Sequence, residues 1–144
     1  MIKVFTNGIF DLIHKGHIDL LKYAKSLGDY LIVNVNCDDA VRRLKGPLRP
    51  IQNEDTRLAV IRELKCVDDV FIFYQDTPEY NIKLMKPDIL VKGPEEIGKE
   101  IPGASIVLGY GGKVVVPNWP IRESTTLTIE KIVRLYGNAT SNRT

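Results

Sequence analysis

Two kinds of apolar segment alternate along this chain. Short, nearly continuous apolar runs are typical of strands covered on both faces of a sheet, and they occupy residues 2–6, 30–35, 70–74, 89–91 and 113–116. Apolar residues at helical spacing lie between or after these runs, over residues 16–27, 39–44, 53–64, 77–85 and 124–136. Alternating strands and helices predict an α/β fold with a five-stranded parallel sheet and helices on both of its faces.

Local start and stop signals support these limits. Gly28 follows the first helical segment as a typical helix stop, and Asn53 and Ser124 are good N-cap residues for the helices that follow them. No repeat and no second apolar core interrupts the order of elements. We therefore expect one domain over residues 1–136, followed by a polar tail over residues 137–144.

The composition disfavours several functional classes. The chain has 144 residues, of which 44% are hydrophobic and 26% charged, and its formal net charge is +2. Such a balance gives no reason to expect a nucleic-acid or membrane partner, and no run of about 18 apolar residues predicts a membrane span. The chain enters its first strand without a signal-peptide pattern. Cys37 and Cys66 form no disulfide framework, so we expect a protein of the reducing cytoplasm.

Polar segments follow or flank four of the predicted strands. A parallel sheet binds its ligand at the carboxyl ends of its strands, near the point where the strand order reverses. This rule brings together the turn with His14 and His17, residues 36–39, Lys92-Gly93 and the loop before Ser124. The chain has neither a Gly-x-Gly-x-x-Gly fingerprint after its first strand nor a Gly-x4-Gly-Lys-Ser/Thr loop. Their absence argues against an ordinary dinucleotide fold and against a P-loop.

The turn after the first strand contains the only two histidines of the chain. His14 and His17 lie at i and i+3 where a helix begins, so their side chains project from one face. Backbone N–H groups and the positive end of a helix favour anions there, and imidazoles can donate hydrogen bonds to phosphate oxygens. We interpret the pair as a phosphate site. Capping or surface histidines are the plain alternative, and a metal site is disfavoured because no third ligand has suitable spacing.

Two further segments could contact phosphate. The run Ser124-Thr125-Thr126 stands at a predicted helix start, where hydroxyl and free N–H groups can hold a phosphate; simple N-capping explains the run equally well. Lys45 belongs to a loop over residues 45–52 that is punctuated by proline and glycine. A flexible lysine there could neutralise phosphate charge during a reaction.

Other polar residues allow a functional and a plain interpretation. Arg57, one turn into its predicted helix, could reach the same cleft with a bidentate guanidinium. Lys92-Gly93 ends the fourth strand, where a glycine would let a base or a ribose approach the backbone; a simple strand-ending turn is the alternative. Arg42 and Arg43 are interpreted as solvated charges that offset the helix dipole.

Several motifs together resemble the cytidylyltransferase-like nucleotidyltransferases. The pattern Gly8-x-Phe10-Asp11-x-x-His14-x-Gly16-His17 contains the His-x-Gly-His motif that this superfamily shares with class I aminoacyl-tRNA synthetases. The resemblance runs from residue 1 to residue 136, and glycerol-phosphate cytidylyltransferases are its second branch. The stretches similar to the adenylyltransferase domains of bacterial ADP-heptose synthases are Thr6-Asn7-Gly8, Arg43-Leu44-Lys45-Gly46, Arg49-Pro50-Ile51, Asp76-Thr77-Pro78, Pro87-Asp88-Ile89-Leu90-Val91-Lys92-Gly93 and Tyr110-Gly111-Gly112.

The resemblance implies a Rossmann-like nucleotidyltransferase fold and a role for each matched residue. The nucleotide would be bound by Thr6, Asn7, Gly8, Ile9, Phe10, His14, His17, Lys92, Gly93, Ser124, Thr125 and Thr126. The acceptor would be bound by Asp11, Asp38, Lys45 and Arg57, although Asp11 is better suited to organising the turn. Catalysis would fall to His14, His17 and Lys45. Mg²⁺ would enter with the nucleotide, and no metal site of the protein's own is expected.

The resemblance also implies a reaction, with alternatives. The expected reaction transfers AMP from ATP to a sugar phosphate such as D-glycero-D-manno-heptose 1-phosphate and releases pyrophosphate. One alternative uses CTP and glycerol phosphate or a related polyol phosphate. A nucleotide-binding module without turnover and an α/β assembly scaffold are alternatives of another class. Pro94-Glu95-Glu96 follows Gly93 where the family carries Gly-Asp or Asp-Asp, a departure that bears on the acceptor and the base. A homodimer is expected from the resemblance alone.

Overall fold

The computed structural model describes residues 1–137, within which strands and helices alternate as the apolar pattern predicts. The strands are β1 (Lys3–Gly8), β2 (Tyr30–Asn36), β3 (Asp69–Phe73), β4 (Ile89–Val91) and β5 (Lys113–Val115). The helices are α1 (Lys15–Ser26), α2 (Asp38–Lys45), α3 (Glu54–Arg62), α4 (Glu79–Met85), α5 (Ala104–Gly109) and α6 (Thr125–Tyr136). The predicted tail lies outside the described residues, except for Gly137.

The five strands form one parallel sheet in the order β3-β2-β1-β4-β5. The chain leaves the central strand β1 toward β2 and β3 on one side, and it later returns to β4 and β5 on the other. The strand order therefore reverses between β1 and β4, which is where such sheets bind ligands at their carboxyl ends. In this register Asn7 of β1 lies opposite Asn34 of β2.

Apolar layers cover both faces of the sheet, as predicted. Side chains alternate between the two faces along each strand, so Val4 and Phe5 enter different clusters. One cluster joins the sheet to α1 and α3, and its buried members include Val4, Leu21, Val33, Ile61 and Val91. The other joins the sheet to α4 and α5 through Phe5, Ile32, Ile82, Leu90 and Val107. The carboxyl edge between these layers is left for polar groups.

Helix α5 is an element that the apolar pattern does not predict. It has only six residues, which is too short a segment for helical spacing to be distinguished from a loop. Gly103 precedes it with a φ of 91°, and a Cβ at this position would lie 2.4 Å from the Cδ1 atom of Ile82. The positive φ therefore favours glycine here, and a larger residue would also have to displace the end of the Ile82 side chain.

Helix α6 differs from the other helices because none of its residues is buried. Its apolar residues Ile132, Val133 and Tyr136 are 51%, 62% and 62% exposed. Within residues 1–137, no helix is long and apolar enough to cross a bilayer.

Candidate active site

A sharp turn carries the chain from β1 into α1. Phe10 and Leu12 have φ values of 54° and 50°, in the left-handed region that residues with a Cβ rarely occupy. Phe10 is buried, and a Cβ at Gly8 would lie 3.0 Å from its ring. The two strained residues flank Asp11, whose side chain is also buried. Backbone strain of this kind occurs where a structure fixes functional groups.

Asp11 organises this turn and the loop beside it. Its Oδ2 atom accepts a hydrogen bond from the N–H of Ile51 at 2.7 Å, and its Oδ1 atom accepts one from the N–H of Gln52 at 2.9 Å. The Gln52 side chain accepts a hydrogen bond from the N–H of Leu12 at 3.3 Å. This is the organising role predicted for Asp11. Its contact with an acceptor stays a prediction, and both carboxylate oxygens already have protein partners.

His14 and His17 cap the first turn of α1 together. His14 is the N-cap residue, and its Nδ1 atom accepts a hydrogen bond from the N–H of Gly16 at 3.1 Å. The Nδ1 atom of His17 accepts one from the N–H of His14 at 3.2 Å. The two rings lie 3.8 Å apart between centroids at an angle of 31°, and His17 also packs against Phe10. The predicted pair is thus one rigid unit at the helix start.

These bonds fix the protonation of both rings. A ring whose Nδ1 atom accepts a hydrogen bond carries its proton on Nε2 when it is neutral. Burial, followed by the neighbouring His14, lowers the pKa of His17 to about 4. Burial also lowers the pKa of His14, against the opposing charges of Glu123 and Glu95. Both rings are therefore neutral at pH 7, each with an Nε2–H group that can donate a hydrogen bond to an anion.

The position of the His14 ring leaves no room for a Cβ at residue 16. A Cβ at Gly16 would lie 2.9 Å from Cε1 and 3.0 Å from Nδ1 of the His14 ring. Real Cβ contacts are longer than this, so a side chain at Gly16 would displace the ring. The position of the His14 ring thus gives a steric reason for Gly16 in the His-x-Gly-His motif, in addition to the family resemblance.

The Ser124-Thr125-Thr126 run lies beside this turn. The Ser124 hydroxyl is the N-cap of α6 and accepts a hydrogen bond from the N–H of Leu127 at 3.0 Å. The Thr125 hydroxyl donates to the carbonyl of Asp11 at 2.6 Å. The predicted capping is confirmed, and the second bond fastens the start of α6 to the β1–α1 turn. Phosphate binding by this run stays a prediction.

Lys92 also lies at the carboxyl edge. Its Nζ atom donates hydrogen bonds to the backbone oxygen of Asn7 at 2.9 Å and to the Asn7 side chain at 3.3 Å. Burial lowers the pKa of Lys92, although nearby Glu96 and Glu95 act in the opposite direction. Lys92 thus joins the ends of β4 and β1 on either side of the point where the strand order reverses, next to Gly8 and Gly93.

Glu95 places a carboxylate in the Pro94-Glu95-Glu96 segment, where the sequence departs from the family pattern. Pro94–Glu96 form a single 3-10 turn with Gly93 as its N-cap residue. The Glu95 carboxylate folds back over Gly93, where a Cβ would lie 2.7 Å from its Cδ atom. Burial lowers the pKa values of both His14 and Lys92, and the negative charge of Glu95 acts in the opposite direction. An acidic side chain is therefore present at this edge despite Pro94.

Lys45 and Arg57, both predicted at the cleft, have opposite environments. Lys45 is exposed at the last position of α2, next to Gly46 with a φ of 102°. Its role at a phosphate stays a prediction. Arg57 is fully buried, and its guanidinium donates four hydrogen bonds to protein oxygens. These donors are already bonded to protein oxygens beneath the surface, so the geometry lends no support to Arg57 as an acceptor or phosphate clamp, and that role stays a prediction.

Three residues at the site are missed by reasoning from the sequence. Gln52 holds the turn, as described above. Arg49 donates a hydrogen bond to the Thr126 hydroxyl at 3.1 Å. Glu123 accepts one from the N–H of Lys15 at 3.2 Å and approaches the Nδ1 atom of His14 to 4.0 Å. Position within a predicted loop at the carboxyl edge is the signal for Gln52 and Glu123, whereas Arg49 also belongs to the Arg49-Pro50-Ile51 stretch of the resemblance.

The sequence matches a family model described as "Cytidylyltransferase-like" over residues 5–104. The chain belongs to the cytidylyltransferase-like family. This family consists of nucleotidyltransferases, and the chain is an enzyme of that class with the expected Rossmann-like fold.

Most of this chain matches a part of two longer curated relatives. "Bifunctional protein HldE" of Gluconobacter oxydans is 50% identical over 123 residues, which are 85% of this chain and 26% of that protein. The protein of the same name from Pseudomonas fluorescens is 50% identical over 129 residues, 90% of this chain and 27% of that one. The chain thus spans about a quarter of the length of these relatives.

Two solved structures superpose on most of this chain. A lipopolysaccharide core biosynthesis protein from Thermoplasma volcanium superposes with a TM-score of 0.66 at 35% identity, covering 81% of this chain and 93% of that one. A protein of unknown function from Archaeoglobus fulgidus superposes with a TM-score of 0.62 at 20% identity, covering 85% and 94%. The second likeness shows the fold alone.

Proposed function

We propose that the chain transfers AMP from ATP to a sugar 1-phosphate, D-glycero-D-manno-heptose 1-phosphate in the first instance, giving a nucleotide-sugar and pyrophosphate. The observation that carries this proposal is the neutral His14–His17 pair at a helix start on the carboxyl edge. Two Nε2–H donors and the helix end suit a polyphosphate that develops negative charge during transfer.

The reaction needs positioning more than acid or base chemistry. An oxygen of the sugar phosphate attacks the α-phosphorus of ATP in line, the bond from that phosphorus to the bridging oxygen breaks, and pyrophosphate leaves. His14 and His17 donate hydrogen bonds to phosphate oxygens, and Lys45 closes over them with its charge. The start of α6 at Ser124-Thr125-Thr126 holds the β- and γ-phosphates. No covalent enzyme intermediate is required.

The nucleotide cleft lies between β1 and β4 in this proposal. The backbone from Thr6 to Phe10 shapes one side, and Lys92-Gly93 shapes the other. Magnesium arrives as part of the nucleotide substrate, since Mg²⁺ is commonly held by phosphates and water with few protein ligands. Within residues 1–137, no three His, Cys, Asp or Glu side chains form a group that could hold a metal ion.

Support for a sugar phosphate comes from the relatives. The relatives named HldE are 50% identical to this chain over 85% and 90% of its length, and the Thermoplasma volcanium structure is described as a lipopolysaccharide core biosynthesis protein. A heptose 1-phosphate is therefore the first acceptor to test. The second candidate is a cytidylyltransferase that uses CTP and glycerol phosphate or a related polyol phosphate, and the family description favours it.

The test measures pyrophosphate release with Mg²⁺, pairing ATP or CTP with heptose 1-phosphates, other sugar 1-phosphates and glycerol phosphate. Release with ATP and a heptose 1-phosphate is the expected result. Release only with CTP moves the chain to the second candidate. Nucleotide binding without release from any pair would indicate a binding module without turnover, and no nucleotide binding would indicate an assembly scaffold.

We further propose that the enzyme is a homodimer that works in the cytoplasm without nucleic-acid or membrane partners. The exposed apolar face of α6 supports self-association, because a helix of this length is marginal in water unless it is packed. The unpaired Cys37 and Cys66 suit a reducing compartment. The mass in solution, measured by light scattering over a range of concentrations, tests the dimer; one monomer mass throughout would contradict it.

A further inference from the structure

Helix α2 is held firmly at its start and loosely at its end. At the start, the Asp38 carboxylate accepts a hydrogen bond from the buried Arg57 at 2.7 Å, and Ala40 and Val41 are buried. At the end, residues 42–45 are all exposed. A helix of eight residues is too short to be stable in water by itself. Its last turn therefore needs a contact from outside the helix.

Arg43 makes that contact. Its Nε and Nη2 atoms donate hydrogen bonds to Oδ1 of Asp76 at 2.9 Å and 2.7 Å. Asp76 lies in the loop between β3 and α4, so the pair joins segments that are 33 residues apart in the chain. Arg42, in contrast, pairs with Asp39 of the same helix. Arg43, which the sequence suggests is a solvated charge, is thus the side chain that ties the last turn of α2 to a second element.

Lys45 belongs to the same turn, two residues after Arg43. It is the last residue of α2, and Gly46 follows it with a φ of 102°. The N–H of Gly46 donates a hydrogen bond to the carbonyl oxygen of Arg42 at 2.9 Å and closes the turn. Asp11 holds the far end of the loop that begins here. If the turn opened, the Lys45 side chain would lose its direction, because that direction follows the helical backbone.

We propose that Arg43 and Asp76 are positioning residues, whose ion pair holds the last turn of α2 and so keeps Lys45 directed at the phosphates of the substrate. Neither residue contacts the substrate in this proposal, and both act through Lys45. An exposed ion pair adds little to the stability of a whole protein, so its loss should affect the turn and leave the fold intact. This inference rests on the proposed function, because it concerns the lysine of the same site.

The test compares kcat for pyrophosphate release in wild type, Arg43→Gln and Asp76→Asn. We expect each variant to lower kcat about tenfold, which is less than the loss of about 10²–10³ expected when a stabilising donor is itself removed. Arg42→Gln is the matched control. It removes the same charge from the neighbouring position, but the partner of Arg42 is Asp39 of the same helix. The control should leave kcat unchanged.

Two double variants show whether the pair acts as a unit and through Lys45. Because each partner works only through the other, Arg43→Gln combined with Asp76→Asn should lower kcat no further than either change alone. Because the pair works through Lys45, Arg43→Gln should have no further effect on kcat in a Lys45→Ala background. Multiplied effects in either double variant, or a kcat equal to that of wild type in both single variants, would overturn the proposal.

Amide hydrogen exchange distinguishes failure of this inference from failure of the proposed function. The N–H of Gly46 reports on the last turn of α2 whether or not the protein turns over a substrate. Faster exchange at Gly46 in Arg43→Gln and Asp76→Asn than in Arg42→Gln, without turnover by wild type, would support the role of the pair in holding the turn and refute the proposed function. Turnover by wild type, with exchange and kcat unchanged in both single variants, would do the reverse.

Discussion

The N–H of His14 donates a hydrogen bond to Nδ1 of His17, while Nδ1 of His14 accepts one from the N–H of Gly16. This is a capping box made of two imidazoles in place of a hydroxyl and a carboxylate. It satisfies two N–H groups of the helix start and leaves both Nε2–H groups for a ligand. From the sequence alone, helix capping and anion binding are alternative roles for His14 and His17, but this geometry allows the pair to do both.

Replacing His17 with alanine should cost activity more than stability. His17→Ala removes one phosphate donor, and the loss of such a donor lowers rates by about 10²–10³. It also removes one capping acceptor, which costs about 1 kcal/mol of unfolding free energy. The measurements are pyrophosphate release and urea unfolding. His17→Gln is the control, since glutamine at this position can still cap the helix. A near-wild-type rate in His17→Ala would refute the role assigned to His17.

Stability should rise with pH between about 4 and 6.5 because of His17. Its pKa is lowered from 6.5 to about 4 in the folded protein, so the unfolded chain binds the extra proton in this interval. The contribution of His17 to the free energy of unfolding is fully present above pH 6.5 and is lost as the pH falls toward 4. The pKa difference between the folded and unfolded states corresponds to about 3 kcal/mol. Urea unfolding at several pH values measures it. His17→Gln should show a flatter profile, and parallel profiles would contradict the assignment.

Asp11→Ala should release the loop that follows α2. The change leaves the N–H groups of Ile51 and Gln52 without their acceptor, and each unsatisfied buried group costs about 1–3 kcal/mol. We expect faster hydrogen exchange at these two amides and a lower rate of pyrophosphate release. Asp55→Ala, an exposed aspartate on α3, is the control. Unchanged exchange at residues 51 and 52 would show that the loop does not depend on Asp11.

Gly16→Ala should displace the His14 ring. The new methyl group would lie 2.9 Å from the ring, so either the ring or the helix start must move. We expect a loss of rate comparable to that of a histidine variant, about 10²-fold. Gly109→Ala is the matched control, because a Cβ there meets nothing within 4 Å. The NMR signals of the His14 ring follow the displacement; unshifted signals with full activity would refute the steric argument.

The strands and most helix limits follow from local pattern. The run at residues 89–91 predicts β4 with the limits that the structure gives it, because a buried strand must be apolar throughout. Ser124 and Asn53 predict helix starts, since their side chains can satisfy an N–H group within three residues. Helix α5 escapes prediction because one and a half turns packed against α4 have no periodicity of their own.

The sequence by itself determined the α/β order, the approximate ends of the elements and the histidine pair, since these depend on contacts between residues close along the chain. The tertiary structure decided which polar side chains are buried and which stay exposed. The sequence predicts both Arg57 and Lys45 as cations at the cleft. In the structure Arg57 is buried among four oxygens, whereas Lys45 is exposed. Burial and hydrogen bonding between distant segments set that difference, and no local pattern records them.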